Sequence, residues 1–100
     1  MASGDTMQGR RLPDITWGAG TDAWDAERRP GDYARIVKDD TTWGWYVVTP
    51  NGHVGTLRRN HTVVVEQDGT ITVSPSILLS LIGTGEGWHG WLERGIWREC

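Results

Sequence analysis

Thr62-Val63-Val64-Val65-Glu66-Gln67-Asp68-Gly69-Thr70-Ile71-Thr72-Val73-Ser74 is the stretch whose reading decides the fold. Two β-branched runs flank an Asp-Gly turn signal, which predicts a hairpin. Its register follows from the side chains. A two-residue Asp68-Gly69 loop sets Val64 against Val73 and Glu66 against Ile71, mixing polar and apolar groups on each face. A three-residue Gln67-Asp68-Gly69 loop pairs Val65 with Ile71 and Val63 with Val73. One face is then wholly apolar, and the other carries Val64, Glu66, Thr70 and Thr72. Slipping a strand by one residue moves every side chain across the sheet, so the second register is the expected one.

The same design recurs on both sides. Tyr33–Lys38 and Trp43–Thr49 have strand composition, with Asp39-Asp40-Thr41-Thr42 turning the chain between them. Pro50-Asn51-Gly52 is a turn, and His53–Leu57 returns as a strand. Pro75–Gly83 reads as a two-turn helix capped by Ser74 or as a strand after a bend, and the surrounding β pattern favours the strand. Trp88-His89-Gly90-Trp91-Leu92 and Ile96-Trp97-Arg98-Glu99-Cys100 form a last hairpin. A three-residue Glu93-Arg94-Gly95 loop there sets Trp91 opposite Trp97. The fold class is therefore mainly β: an antiparallel meander of about seven short strands, making a curled sheet or open barrel with at most one or two short helical turns.

Residues 33–100 make up this single β domain. Residues 1–13 are polar and aperiodic, as in a mobile tail. Residues 14–32 read as an extended or partly helical arm. Asp22–Arg28 within it can form a short helical turn that stops before Pro30.

The totals narrow the function. One hundred residues suit one small domain. Only 37% are apolar, but seven Trp add large buried rings, and fourteen Gly point to turns. A formal charge of −3 and a pI near 5.5 argue against a general phosphate-backbone binder. The one Cys, Cys100, excludes an intrachain disulfide and a multi-cysteine zinc site. The chain has no apolar run of signal-peptide or membrane-span length, so the expectation is a soluble cytoplasmic protein that engages no membrane.

No residue grouping spells a reaction. His53, His61 and His89 match no zinc spacing; His53 and His89 are the weak metal candidates. Asp39, Asp40 and Asp68 are turn residues, and Ser74 and Ser76 have no base beside them in sequence. Gly83-Thr84-Gly85-Glu86-Gly87 lacks the Lys of a phosphate loop. No cofactor is expected. Arg58 and Arg59, with Trp43, Trp45 and Tyr46 upstream, are the nucleic-acid candidates, through stacking plus charge. Trp17, Trp24, Trp88, Trp91 and Trp97 are the protein-binding candidates, and Trp17, Trp24 and Trp88 are the candidates for exposed indoles. Trp17 and Trp24 read first as indoles of the arm that cap the domain, and otherwise as exposed anchors for a partner.

From about Pro30 onward the chain resembles a family of small proteins of unknown function from bacteriophages of actinobacteria and some bacteria. The residues that carry the resemblance are Asp68-Gly69-Thr70-Ile71-Thr72-Val73-Ser74-Pro75-Ser76-Ile77, Trp88-His89-Gly90-Trp91-Leu92 and Gly95-Ile96-Trp97. Some bacterial relatives carry Cys around Thr49–His53 and before the His at His89; here those positions are not Cys. The resemblance adds a phage context and little mechanism. With the lack of a catalytic grouping and the Trp-rich small β domain, it leads to the expectation of a non-enzymatic phage accessory protein that binds a host or phage protein in the host cytoplasm. The alternatives are a virion or self-assembling component that binds copies of itself, and a single-stranded nucleic-acid binder or degenerate metal or enzyme domain.

Overall fold

The computed structural model describes residues 6–80 and 87–100. Its central hairpin forms in the expected register. Strand β7 (Thr62–Val65) pairs with β8 (Ile71–Ser80), with Val65 opposite Ile71 and Val63 opposite Val73. Gly69 takes φ +88°, and its N–H reaches the Glu66 carbonyl at 3.0 Å. That left-handed position is where Gly costs least. Ile71 and Val73 are buried, whereas Val65, nearest the turn, stays half exposed. The Pro75–Ser80 run continues β8 as strand through a cis Ser74–Pro75 bond. Leu81, Ile82, the Gly83–Glu86 part of the glycine-rich connector and residues 1–5 lie outside the described residues.

Ten strands and one helix occur among the described residues, and they are mainly β, as the sequence predicts. The strands divide between two sheets that do not close into a barrel. In the N-terminal sheet, β4 (Asp32–Lys38), β5 (Thr41–Val48) and β6 (Val54–Leu57) are antiparallel neighbours. In the C-terminal sheet the order runs β7, β8, β9 (Gly87–Glu93), β10 (Ile96–Glu99). The two face each other. Tyr33, Trp45, Val47 and Leu57 from one side meet Ile71, Val73, Ile77, Trp88, Leu92 and Trp97 from the other in one core cluster. The Trp88 and Trp97 rings meet edge to face at 5.2 Å, and the Trp97 indole N–H donates to the Gly31 carbonyl at 2.8 Å.

The last hairpin differs from expectation. Its loop has two residues, Arg94 and Gly95, with φ +50° and +76°. Trp97 therefore pairs with Leu92 and Trp91 with Arg98, not Trp91 with Trp97. A primed turn matches the strand twist. It also sends Trp97 and Leu92 inward together, where both are fully buried.

Residues 6–13 are no loose tail. β1 (Thr6–Gln8) adds to β10 at the edge of the C-terminal sheet. One residue later, β2 (Arg10–Arg11) runs parallel to β4 in the N-terminal sheet. Gly9 makes the crossing, and its N–H bonds the Gly95 carbonyl at 2.7 Å. Arg10 clasps buried Asp32 through two nitrogens, at 3.1 and 2.7 Å. The two-pronged contact raises the Arg10 pKa above its ordinary value. The chain then continues along β4 as the parallel strand β3 (Ile15–Thr16) and turns into α1 (Asp22–Glu27), the short helix expected there. Leu12, Ile15 and Trp24 bury a second cluster against Ala34, Val48 and Tyr46.

Candidate functional site

Burial sorts the sequence candidates. Trp24, Trp88 and Trp97 are core residues, each no more than 5% exposed, so Trp24 and Trp88 are not exposed anchors, and Trp24 caps the domain as the first reading of the arm has it. Trp24 stacks on Tyr46 at 5.8 Å beneath α1, and Trp88 fills space over Gly90. Trp17 is 47% exposed, and Trp91 is half buried.

The structure gathers Trp17 and Arg58 into one feature at the end of the N-terminal sheet. The β4–β5 ladder shifts register there: Ile36 opposes Gly44 while Val37 opposes Thr42. Trp43 is the extra residue, and a bulge of this kind re-aims its side chain. The Trp17 N–H bonds the Val37 carbonyl at 2.8 Å, which brings the Trp17 ring within 4.3 Å of the Trp43 ring. Lys38 Nζ covers Trp17 at 5.2 Å. The Arg58 guanidinium covers Trp43 at 3.7 Å, held by an Nε–H bond of 2.8 Å to the Trp43 carbonyl. The result is a column, Lys38–Trp17–Trp43–Arg58. Gly44 leaves room for it, because a Cβ there would lie 2.8 Å from both the Arg58 stem and the Leu57 carbonyl. Arg59 lies exposed beside it in sequence and joins no part of the column.

Beside the column is a groove of about 360 Å³ lined by Ile15, Trp17, Ile36 and Tyr46, with Gly18, Gly20 and Thr21. Trp17 thus stands at the lip of an apolar depression. Lys38 escaped the sequence reading, and Trp43 entered it only as an aromatic upstream of Arg58. The tandem Trp43-Gly44-Trp45 hinted at a bulge, since glycine inside a strand often marks one.

The outer face of the C-terminal sheet holds the remaining candidates. Arg98 lies 5.2 Å over the Trp91 ring, and Leu78 is 67% exposed. The His89 Nε2 is 3.0 Å from the Ser76 hydroxyl, a pairing of strands β8 and β9 invisible in sequence. His61 Nε2 lies 3.1 Å from the Ser76 carbonyl, and its buried Nδ1 has no partner among the described residues. Ser76 and His89 could form a nucleophile–base pair, but among the described residues no carboxylate bonds the far side of His89 to orient it. His53 is elsewhere, in the Thr49–His53 turn, where its N–H reaches the Thr49 hydroxyl at 3.1 Å. Among the described residues no three His, Cys, Asp or Glu side chains are grouped to hold a metal ion. Nor is any described helix long and apolar enough to cross a membrane.

No family model, curated protein or solved structure matches this chain.

Proposed function

We propose that this chain is a non-enzymatic binding module that engages a protein through the Trp17 face. The carrying observation is a half-exposed Trp, packed against Trp43 and Lys38, at the rim of an apolar groove. Binding hot spots are enriched in Trp and Arg, and a ring held rigid before contact loses little freedom on docking. The column also weighs against nucleobase stacking. Trp17 meets both Lys38 and Trp43, and Trp43 meets Arg58. A base would compete with these cations for the rings, whereas a protein side chain can use the groove and the ring edge. The resemblance to small phage proteins supports a host or phage protein as the partner, met in the host cytoplasm.

The test is a cross-linked pull-down from host lysate with the wild-type chain and Trp17→Ala in parallel. The expected result is a protein enriched on the wild type and lost with the variant, while the two chains give the same circular dichroism. Recovery of the same proteins by both, or of none by either, refutes the reading.

A further inference from the structure

We propose that β7 is a self-association edge, along which a second copy of this chain adds antiparallel about a two-fold axis. Strand β7 ends the C-terminal sheet, and among the described residues no strand pairs its other side. Soluble proteins blunt such edges with Lys, Pro, bulges or very short strands. This one is short, at four residues, but has no Lys, Pro or bulge: it reads Thr-Val-Val-Val, and its ladder to β8 is regular from Thr62 to Val65. Val64 is 50% exposed and Val65 is 47% exposed.

The hydrogen-bond phase of the hairpin shows what the edge offers. The Glu66 N–H bonds the Thr70 carbonyl at 2.7 Å. Bonded and non-bonded pairs alternate along an antiparallel ladder, so Val64 and Thr62 direct their backbone groups to β8. Val63 and Val65 direct theirs outward. A two-fold axis through Val64 then sets Val64 against Val64 of the second copy and pairs Val63 with its Val65. That arrangement satisfies the outward groups of both residues in each chain, and valine meets valine on both faces of the sheet.

Charge selects the same arrangement. Exposed Arg59 precedes the strand, and Glu66 and Asp68 follow it. Antiparallel addition brings the cationic end of one copy beside the anionic end of the other; parallel addition opposes like charges. Two five-stranded sheets thereby become one of ten. This edge is distinct from the Trp17 face, so each proposal survives the failure of the other.

Sedimentation equilibrium of the full chain tests it. The wild type should show twice the 11.2 kDa chain mass in the micromolar range. Val64→Lys places two like charges face to face and should weaken the dimer by about tenfold or more, with unchanged circular dichroism. Val65→Pro removes one outward N–H without touching the ladder to β8, and should do the same. Thr56→Lys, exposed on β6, should leave the dimer intact. A wild-type chain that is monomeric at about 100 µM overturns the proposal, as does a Val64→Lys chain that remains dimeric.

Discussion

Substituting Gly9 by Ala tests whether one residue stitches the two sheets together. Gly9 does not have a positive φ, so its need for glycine is steric rather than conformational. A Cβ there would lie 2.7 Å from the Gly31 carbonyl oxygen and 3.0 Å from both the Gly95 oxygen and the Trp97 indole nitrogen. Two of these atoms are backbone, and the third belongs to a buried ring bonded to Gly31, so none can swing away. Relief requires moving the crossing itself, which breaks the Gly9–Gly95 bond, worth about 0.5–1.5 kcal/mol. Overpacking adds about 1–3 kcal/mol. The stiffer unfolded chain returns about 0.4–1 kcal/mol. The net expectation is a loss of about 0.5–4 kcal/mol in urea unfolding followed by circular dichroism, with faster amide exchange at Met7 and Gln8. Gly55→Ala is the control. Its Cβ would meet the Leu79 and Val47 side chains at 3.6 Å and beyond, so it should be as stable as wild type or up to about 1 kcal/mol more stable. A Gly9→Ala chain as stable as wild type would refute the idea that residues 6–11 lock both sheets.

Three further outcomes are expected. Gly69→Ala, at φ +88° with open space around it, should cost about 1 kcal/mol or more through backbone strain alone, and an unchanged melting temperature contradicts the turn. Trp97→Phe should cost about 2–4 kcal/mol in chemical denaturation, because it orphans the Gly31 carbonyl and weakens the edge contact to Trp88; a loss under about 0.5 kcal/mol would mean the indole bond contributes nothing. Asp14 is held below its ordinary pKa chiefly by its hydrogen bond from Arg35, and Asp68 by the Thr70 hydroxyl. Both carboxylates bind fewer protons folded than unfolded, so their stabilisation is complete above the ordinary carboxylate pKa and is lost as pH falls through the lowered folded values. Thermal melts should therefore soften below about pH 4, less so for Asp14→Asn, and equal acid sensitivity of that variant would remove Asp14 from the account.

The central hairpin was legible because only one register separates its polar and apolar side chains. The last hairpin was not. A non-glycine residue at φ +50° costs energy locally, so nothing in Glu93-Arg94-Gly95 announces a two-residue loop. Burial of Trp97 against Trp88 and Leu92 decides it, a tertiary gain that outweighs local preference. The arm was hidden for another reason. Its buried residues, Leu12, Ile15 and Trp24, are too widely spaced for any periodic signal. Its partner strand β4 lies about twenty residues away and accepts it in parallel. The Lys38–Trp17–Trp43–Arg58 column draws on four separate segments, so its parts were visible in sequence and its assembly was not.

The pairing of β1 with β10 also bears on how the chain is made. Strands β4 to β6 and β7 to β10 are each built from neighbours in sequence and can zip up as they emerge during translation. Strand β1 leaves the ribosome before the other strands, yet Met7 docks on Trp97. At ~5–20 residues per second, it waits on the order of 5–20 seconds for its seat to be synthesised. Throughout that interval the buried edge of β10 does not yet exist and the nascent N-terminal segment stays open to chaperones and proteases. Closure of the fold is thus tied to completion of its last strand, and a message truncated before Trp97 yields a chain that cannot be sealed.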